Sequence, residues 1–120
     1  MRKVKFRSWD SRHKVMDIPD NIANDIDGDK YQIMQYTGLK DQNGVEIYEG
    51  DIVKFNGGAE DFFAEIGFEY GCFIAKMPWV IKVKKFGKAS YPELKYYIDM
   101  TFVSTEVIGN IYENPELINE

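Results

Sequence analysis

The nineteen residues from Gln35 to Val53 constrain this chain more than any other stretch, because they place glycines at 38, 44 and 50 among turn-forming residues and then open directly into a strand. Asp41-Gln42-Asn43-Gly44 puts Asn and Gly where a tight reversal needs positive φ, a conformation Gly adopts without a Cβ clash and Asn tolerates better than most. The chain therefore turns back at Asn43-Gly44. A second bend at Tyr48-Glu49-Gly50-Asp51 leads into Ile52, Val53 and Phe55, whose β-branched and aromatic side chains suit a strand. A glycine-aspartate turn feeding an Ile-Val strand is how many small β-barrels begin, those of SH3 type among them.

The rest of the chain reads as strands attached to either end of this stretch. Val4 and Phe6 alternate with Lys3, Lys5 and Arg7, a period of two that predicts a strand buried on its Val4/Phe6 face. Trp9 falls on the opposite parity, so either the strand bulges or Trp9 faces the other way. Trp9 reads as a core plug whose surroundings are fixed by an ion pair of Arg7 or Asp10; the sharper alternative is a ligand-stacking site made by Arg7 and Trp9. Ser11-Arg12-His13-Lys14 reads as a hairpin turn leading to Val15 and Met16, which leaves the sole histidine at a solvated loop tip.

Residues 17–29 carry five aspartates and a proline with no periodicity, and read as an exposed acidic connector. Asp25-Ile26-Asp27-Gly28-Asp29 has the look of a calcium loop. An EF-hand loop started at Asp25 would need Gly at position 30 and Glu at position 36, where Lys30 and Tyr36 stand, so the connector is expected to be indifferent to calcium. Tyr31, Ile33 and Gln35 alternate with Gln32 and Met34, which predicts a short strand running into the organising stretch.

Beyond Asn56-Gly57-Gly58, a reversal, strand character restarts over Phe62–Phe68, Gly71–Met77 and Trp79–Phe86, the last two separated by Pro78, which cannot donate to a ladder. Gly87-Lys88-Ala89-Ser90 closes that unit. Tyr91–Tyr97 reads either as one helical turn, with Ser90 as its cap and Pro92 in the first turn, or as an irregular crossover, and is taken as a loop with a single turn followed by a strand. Val107–Tyr112 is a closing strand in which Gly109 marks a bulge or a close backbone approach. Asn114-Pro115-Glu116-Leu117 is a terminal turn with Leu117 expected to pack back.

Four blocks in fixed order, Val4-Lys5-Phe6-Arg7-Ser8-Trp9-Asp10, Met34-Gln35-Tyr36-Thr37-Gly38-Leu39-Lys40-Asp41, Ile47-Tyr48-Glu49-Gly50-Asp51-Ile52-Val53 and Val107-Ile108-Gly109-Asn110-Ile111-Tyr112-Glu113-Asn114-Pro115-Glu116-Leu117, resemble the YopX family of bacteriophage and prophage proteins. The acidic connector and residues 56–105 carry no motif of that family. The resemblance implies an all-β, or mainly β, protein with a small SH3-type barrel in its C-terminal part, made inside an infected or lysogenic bacterium. It brings no established biochemical function and no catalytic residues. The resulting division is residues 1–36 as an N-terminal β hairpin layer with the acidic connector, and residues 37–120 as the SH3-like barrel with a C-terminal turn.

Composition bounds the function. A chain of 120 residues is one domain's worth, and 44 % hydrophobic with 15 % aromatic residues is enough to drive collapse. Twenty acidic against fifteen basic residues give a net charge of −5, which opposes a general affinity for phosphate backbones. The single cysteine, Cys72, has no internal disulfide partner, and no signal peptide or long apolar run is present, so the expected compartment is the cytoplasm of a bacterial host, with no membrane partner.

No residue group carries a catalytic, metal or cofactor signature, so no cofactor is expected and the chain is not read as an enzyme. Glu49 and Asp51 have the spacing of a carboxylate pair for acid-base work or metal binding; the structural alternative is that Asp51 accepts backbone bonds in its turn. Trp79, Lys82, Lys84 and Lys85 form the one feature that departs from the overall charge, within a stretch holding four lysines in ten residues. They read either as a barrel strand with Trp79, Ile81 and Val83 inward and lysines solvating the outer face, or as an anionic-ligand surface. The expected activity is that of a module binding a host or phage protein; the alternative is a nucleic-acid-binding module using the lysine strand. Homo-oligomerisation stays open.

Overall fold

The three glycines of the organising stretch all take the left-handed conformation, with φ of 83–85° at Gly38, Gly44 and Gly50; Gly44 and Gly50 make the reversals between strands, whereas Gly38, expected at a reversal, lies inside a strand at a bulge. The fold is described from a computed structural model covering residues 4–17, 31–58, 61–69, 71–76, 83–85, 88–90, 93–99 and 103–117. Of the acidic connector, Asp17 is the end of a strand, while residues 18–29 with the Asp25-to-Asp29 loop, and Pro78 with its strand break, lie outside the described residues.

The protein is mainly β. β1 (Phe6–Asp10), β2 (Val15–Asp17), β3 (Tyr31–Lys40) and β4 (Glu46–Tyr48) form one antiparallel sheet in the order β2-β1-β3-β4. β5 (Asp51–Asn56), β6 (Asp61–Glu69), β7 (Cys72–Lys76) and β10 (Ser104–Asn110) form a second in the order β10-β5-β6-β7. β8 (Val83–Lys85) and β9 (Lys88–Ser90) pair with each other in a ladder of their own. α1 (Leu94–Ile98) packs against β7 and β10, and a 3-10 turn (Pro115–Leu117) follows the last strand. The boundary expected at residue 36 falls inside β3, which pairs with β1 in its first half and with β4 from Tyr36 onward.

Asp41 ties the hairpin turn to the second sheet. Its Oδ1 accepts the amides of Asn43 (2.8 Å) and Val45 (2.9 Å), and its Oδ2 accepts the amide of Val107 on β10 (2.9 Å). Gly50 makes the other tie: its amide donates to the Ile66 carbonyl (2.8 Å) and its carbonyl accepts the Ile111 amide (2.9 Å). A Cβ built on Gly50 would meet Met34 Sδ at 3.1 Å, so both φ and space favour glycine there. The core between the sheets holds Ile47, Val53, Phe55, Ala64, Ile66, Ala75 and Leu94, all essentially inaccessible to solvent.

Four expectations are corrected. In β1 the buried residues are Arg7, Ser8 and Trp9, while Val4 is 65 % exposed and Phe6 half-buried; the ladders to β2 and β3 run without a register shift, so Trp9 faces inward without a bulge. The helix begins at Leu94 behind Glu93, and the residue expected as its cap, Ser90, is the last residue of β9. The closing strand starts and ends earlier than Val107–Tyr112, although the bulge expected at Gly109 is present as a register shift between Val107 and Gly109. Leu117 is 37 % exposed and does not pack back as expected.

Candidate functional site

Of the four residues singled out on the lysine stretch, Trp79 and Lys82 lie outside the described residues. Lys84 and Lys85 lie on β8, where Lys84 pairs with Ala89 and Lys85 with Lys88. Among the described residues this segment pairs only in the two-stranded β8-β9 ladder. Three lysines thus fall on one short ribbon.

Arg7 and Trp9 form a buried seam. The Arg7 guanidinium donates to Asp51 Oδ1 at 2.7 Å and to the Glu49 carbonyl at 3.2 Å, and it lies 4.7 Å from the centre of the Tyr48 ring. Trp9 stacks on Tyr112 at 5.7 Å between centroids. Both side chains are buried, so the ion pair plugs the sheet junction and presents no stacking surface to a ligand. Burial pushes the Asp51 carboxyl above its ordinary value, and the Arg7 charge and the Tyr48 amide pull it down without cancelling that effect. Burial likewise raises the phenols of Tyr36, Tyr48 and Tyr112.

The spacing of Glu49 and Asp51 is used structurally. Asp51 Oδ2 accepts the Tyr48 amide at 2.8 Å, as expected for an aspartate in its own turn, while Glu49 Oε1 accepts the Gln35 amide at 2.9 Å. His13 sits on the β1-β2 turn with its Nδ1 2.7 Å from Asp10 Oδ2, its side chain 69 % exposed. Cys72 donates its thiol to Glu93 Oε1 at 3.4 Å. Each of the two side chains best suited to nucleophile-and-base chemistry is thus bonded to a different carboxylate.

The open feature of the molecule lies at the far end of the β6-β7 hairpin. β5 accompanies β6 only as far as Glu65, whereas β7 continues to Cys72 opposite Glu69. Residues 66–69 therefore extend past β5, and the alternation that buries Ala64 and Ile66 brings Phe68 out of the core to 47 % exposure. Phe73, directly opposite, meets Phe68 edge-to-face at 4.8 Å.

Beside this aromatic pair is a cleft of about 310 Å³ walled by Thr37, Gly38 and Leu39 on one side, Gly71, Cys72 and Phe73 on another, and Glu93 and Lys95 on the third. The Thr37-to-Leu39 wall exists because the β3-β4 ladder shifts register between Tyr36 and Lys40. There the Thr37 hydroxyl donates to the Ile47 carbonyl at 2.7 Å and accepts the Leu39 amide at 3.1 Å, and the positive φ of Gly38 carries the bulge. Lys95 bonds Asp99 one turn on along α1. Sequence reasoning did not find this cleft, since its walls come from three segments, 37–39, 71–73 and 93–95, too far apart along the chain for a turn or strand pattern to link; the local signal was Phe68 and Phe73 on either side of Gly71.

Comparison with known proteins agrees with the family resemblance, over a stretch that holds the last three of the four blocks. The family model described as YopX protein matches residues 17–119. The chain belongs to the YopX family. Its fold is similar to that of the crystal structure of protein EF1440 from Enterococcus faecalis, with 27 % identity and a TM-score of 0.64, covering 99 % of this chain and 100 % of that one. It is also similar to the X-ray crystal structure of protein yopX from Bacillus subtilis, with 21 % identity and a TM-score of 0.60 over 99 % of this chain and 100 % of that one. No curated protein matches the chain. Neither of these two YopX-like folds brings an activity with it. Among the described residues no helix is long and apolar enough to cross a membrane, and no group of three or more His, Cys, Asp or Glu could hold a metal ion.

Proposed function

We propose that this protein is a non-enzymatic accessory protein of a bacteriophage or prophage, working in the bacterial cytoplasm by binding another protein. The observation that carries this reading is the Phe68–Phe73 pair, an apolar face that continues the core past the end of β5 and stands open beside a cleft. Exposed aromatic surface of this kind is typical of interface centres. The groups that would do chemistry are engaged otherwise: Arg7 with Asp51, Glu49 and Asp41 with backbone amides, and His13 with Asp10. An SH3-type barrel built from β4 to β7 and β10 fits the core, which draws on β4, β5, β6 and β7 together. The experiment is affinity purification of tagged protein from host cells with and without nuclease. A stoichiometric protein that survives nuclease treatment and rebinds when purified is expected.

A second reading, binding of single-stranded nucleic acid, is favoured by the β8-β9 ribbon with Lys84, Lys85 and Lys88. It is adopted if purification recovers only DNA or RNA, if recovery is lost when Lys82, Lys84 and Lys85 become Glu, and if affinity falls steeply with salt.

A further inference from the structure

We infer that the free edge of β6 around Phe68 pairs antiparallel with the same edge of a second copy of this chain, in the register that sets Phe68 opposite Phe68. The inference rests on the apolar face that carries the protein-binding reading, and names a second copy as a protein that face binds. The backbone is open there. Ile66 turns its carbonyl toward the β5 side, where it accepts the Gly50 amide, and one strand period on, the N–H and C=O of Phe68 point the same way past the end of β5. Among the described residues no strand pairs with β6 on that side beyond Glu65, and Phe68 is the exposed residue of the stretch.

On the face opposite to the Phe68 ring, Lys76 lies across β6. A Cβ built on Gly67 would meet Lys76 Cε at 2.5 Å and Nζ at 3.1 Å, so the bare backbone of Gly67 is what lets the ammonium reach from β7 onto β6. Glu69 shares that face, two residues on. Among the described residues neither Lys76 nor Glu69 has an ion-pair partner.

Strand alternation and charge then select the occupant and its register. Phe68 must meet a residue of its own parity, which allows a two-fold axis at Gly67, Phe68 or Glu69. About Gly67, Glu69 would meet Glu65 of the second copy, and the Ile66 carbonyl is already taken by Gly50; about Glu69, it would meet its own counterpart. The axis at Phe68 avoids both. It sets each Glu69 opposite a Gly67, in a close pair whose Cα atoms stand about 4.5 Å apart, against the Lys76 ammonium that lies there. Each Phe68 amide then bonds the other's carbonyl, and the Phe68 rings lie side by side with a Phe73 against each. The edge is thus complementary to itself.

The contact is short, so the dimer is weak, with an expected Kd on the order of 100 µM. Sedimentation equilibrium and ¹⁵N–¹H spectra of the full chain, from about 10 µM to about 1 mM, should show the mass rising toward that of a dimer while the amides of Gly67, Phe68, Glu69 and Lys76 shift. Phe68→Ala is expected to abolish the rise. Glu69→Lys and Lys76→Glu should each weaken self-association about five-fold or more, since each variant dimer sets like charges together at both symmetric contacts. An equimolar mixture of these two variants should recover the wild-type level, because each mixed dimer brings opposite charges together again; a loss caused by misfolding is not recovered by mixing. A wild-type chain that stays monomeric at millimolar concentration, or a mixture no better than its components, overturns the proposal. If the chain is monomeric and a purified host protein binds it, self-pairing falls while the protein-binding reading stands; if it dimerises as described and no other protein is recovered, self-pairing stands and that reading falls.

Discussion

Replacing Arg7 by Met removes the cation from Asp51 while keeping an apolar side chain against Tyr48, and the size of the effect can be worked out at each pH. Removing one partner of a buried pair typically costs about 3–5 kcal/mol, because the other charge stays behind. Asp51 is 2 % exposed and has one escape, which is to take up a proton. Protonating a carboxyl whose unfolded value is 3.8 costs about 1.4 kcal/mol per pH unit above it, so the penalty has a ceiling of about 4.4 kcal/mol at pH 7 and about 1.6 kcal/mol at pH 5. The sign follows from the direction of the shift. In the native protein the Asp51 carboxyl is already raised, so the folded chain holds this proton where the unfolded chain has released it. Its contribution to stability is complete below pH 3.8 and is lost as pH rises through the raised value. Losing Arg7 pushes that value further up and widens the window. Urea unfolding of wild type and Arg7→Met at pH 7, 6 and 5 should therefore give a penalty that shrinks by about 1.4 kcal/mol per unit once the ceiling applies. Adding Asp51→Asn to Arg7→Met should restore most of the loss at pH 7 and remove the pH dependence. A penalty that is the same at all three pH values, or below about 1 kcal/mol at pH 7, the level of an exposed ion pair, would refute a buried charge relationship.

Gly38→Val and Gly50→Val force a β-branched side chain into positive φ, and each should cost roughly 1–3 kcal/mol by thermal or urea unfolding, with Gly50 the worse because of Met34. Unchanged melting for both would remove the organising role of the stretch. Asp41→Ala takes the acceptor from three backbone amides, those of Asn43, Val45 and Val107, and should cost about 2–4 kcal/mol, with faster amide exchange at Val107 as the local marker. Tyr48→Phe should be neutral or stabilising by up to about 1–2 kcal/mol, since the buried Tyr48 hydroxyl has no hydrogen-bond partner among the described residues while its ring contacts to Tyr36 and Arg7 survive the change. A loss of more than that on removing the hydroxyl would mean it is bonded in solution.

What the sequence by itself determined is local. Positive φ at Gly38, Gly44 and Gly50 follows from which residues tolerate that backbone, a property that needs no distant partner. The Asn43-Gly44 reversal, the Asp51 turn with its bond from the Tyr48 amide and the solvated His13 were legible on the same ground. The alternation that predicted β1 was read correctly as a strand and wrongly as to its face. Residue type alone made Val4 and Phe6 the buried side; the tertiary structure buried Arg7 and Trp9, because Asp51, forty-four positions away, neutralises the guanidinium and Tyr112 stacks on the indole. The cleft belongs wholly to the tertiary structure. Its walls at Thr37, Phe73 and Glu93 meet only because a bulge bends β3, β6 outruns β5 and α1 starts beside β7. The bulge has a local signal in Gly38 and the Thr37 hydroxyl, but the other two events lie beyond the reach of a turn or a strand period, since each depends on where the other strands stop.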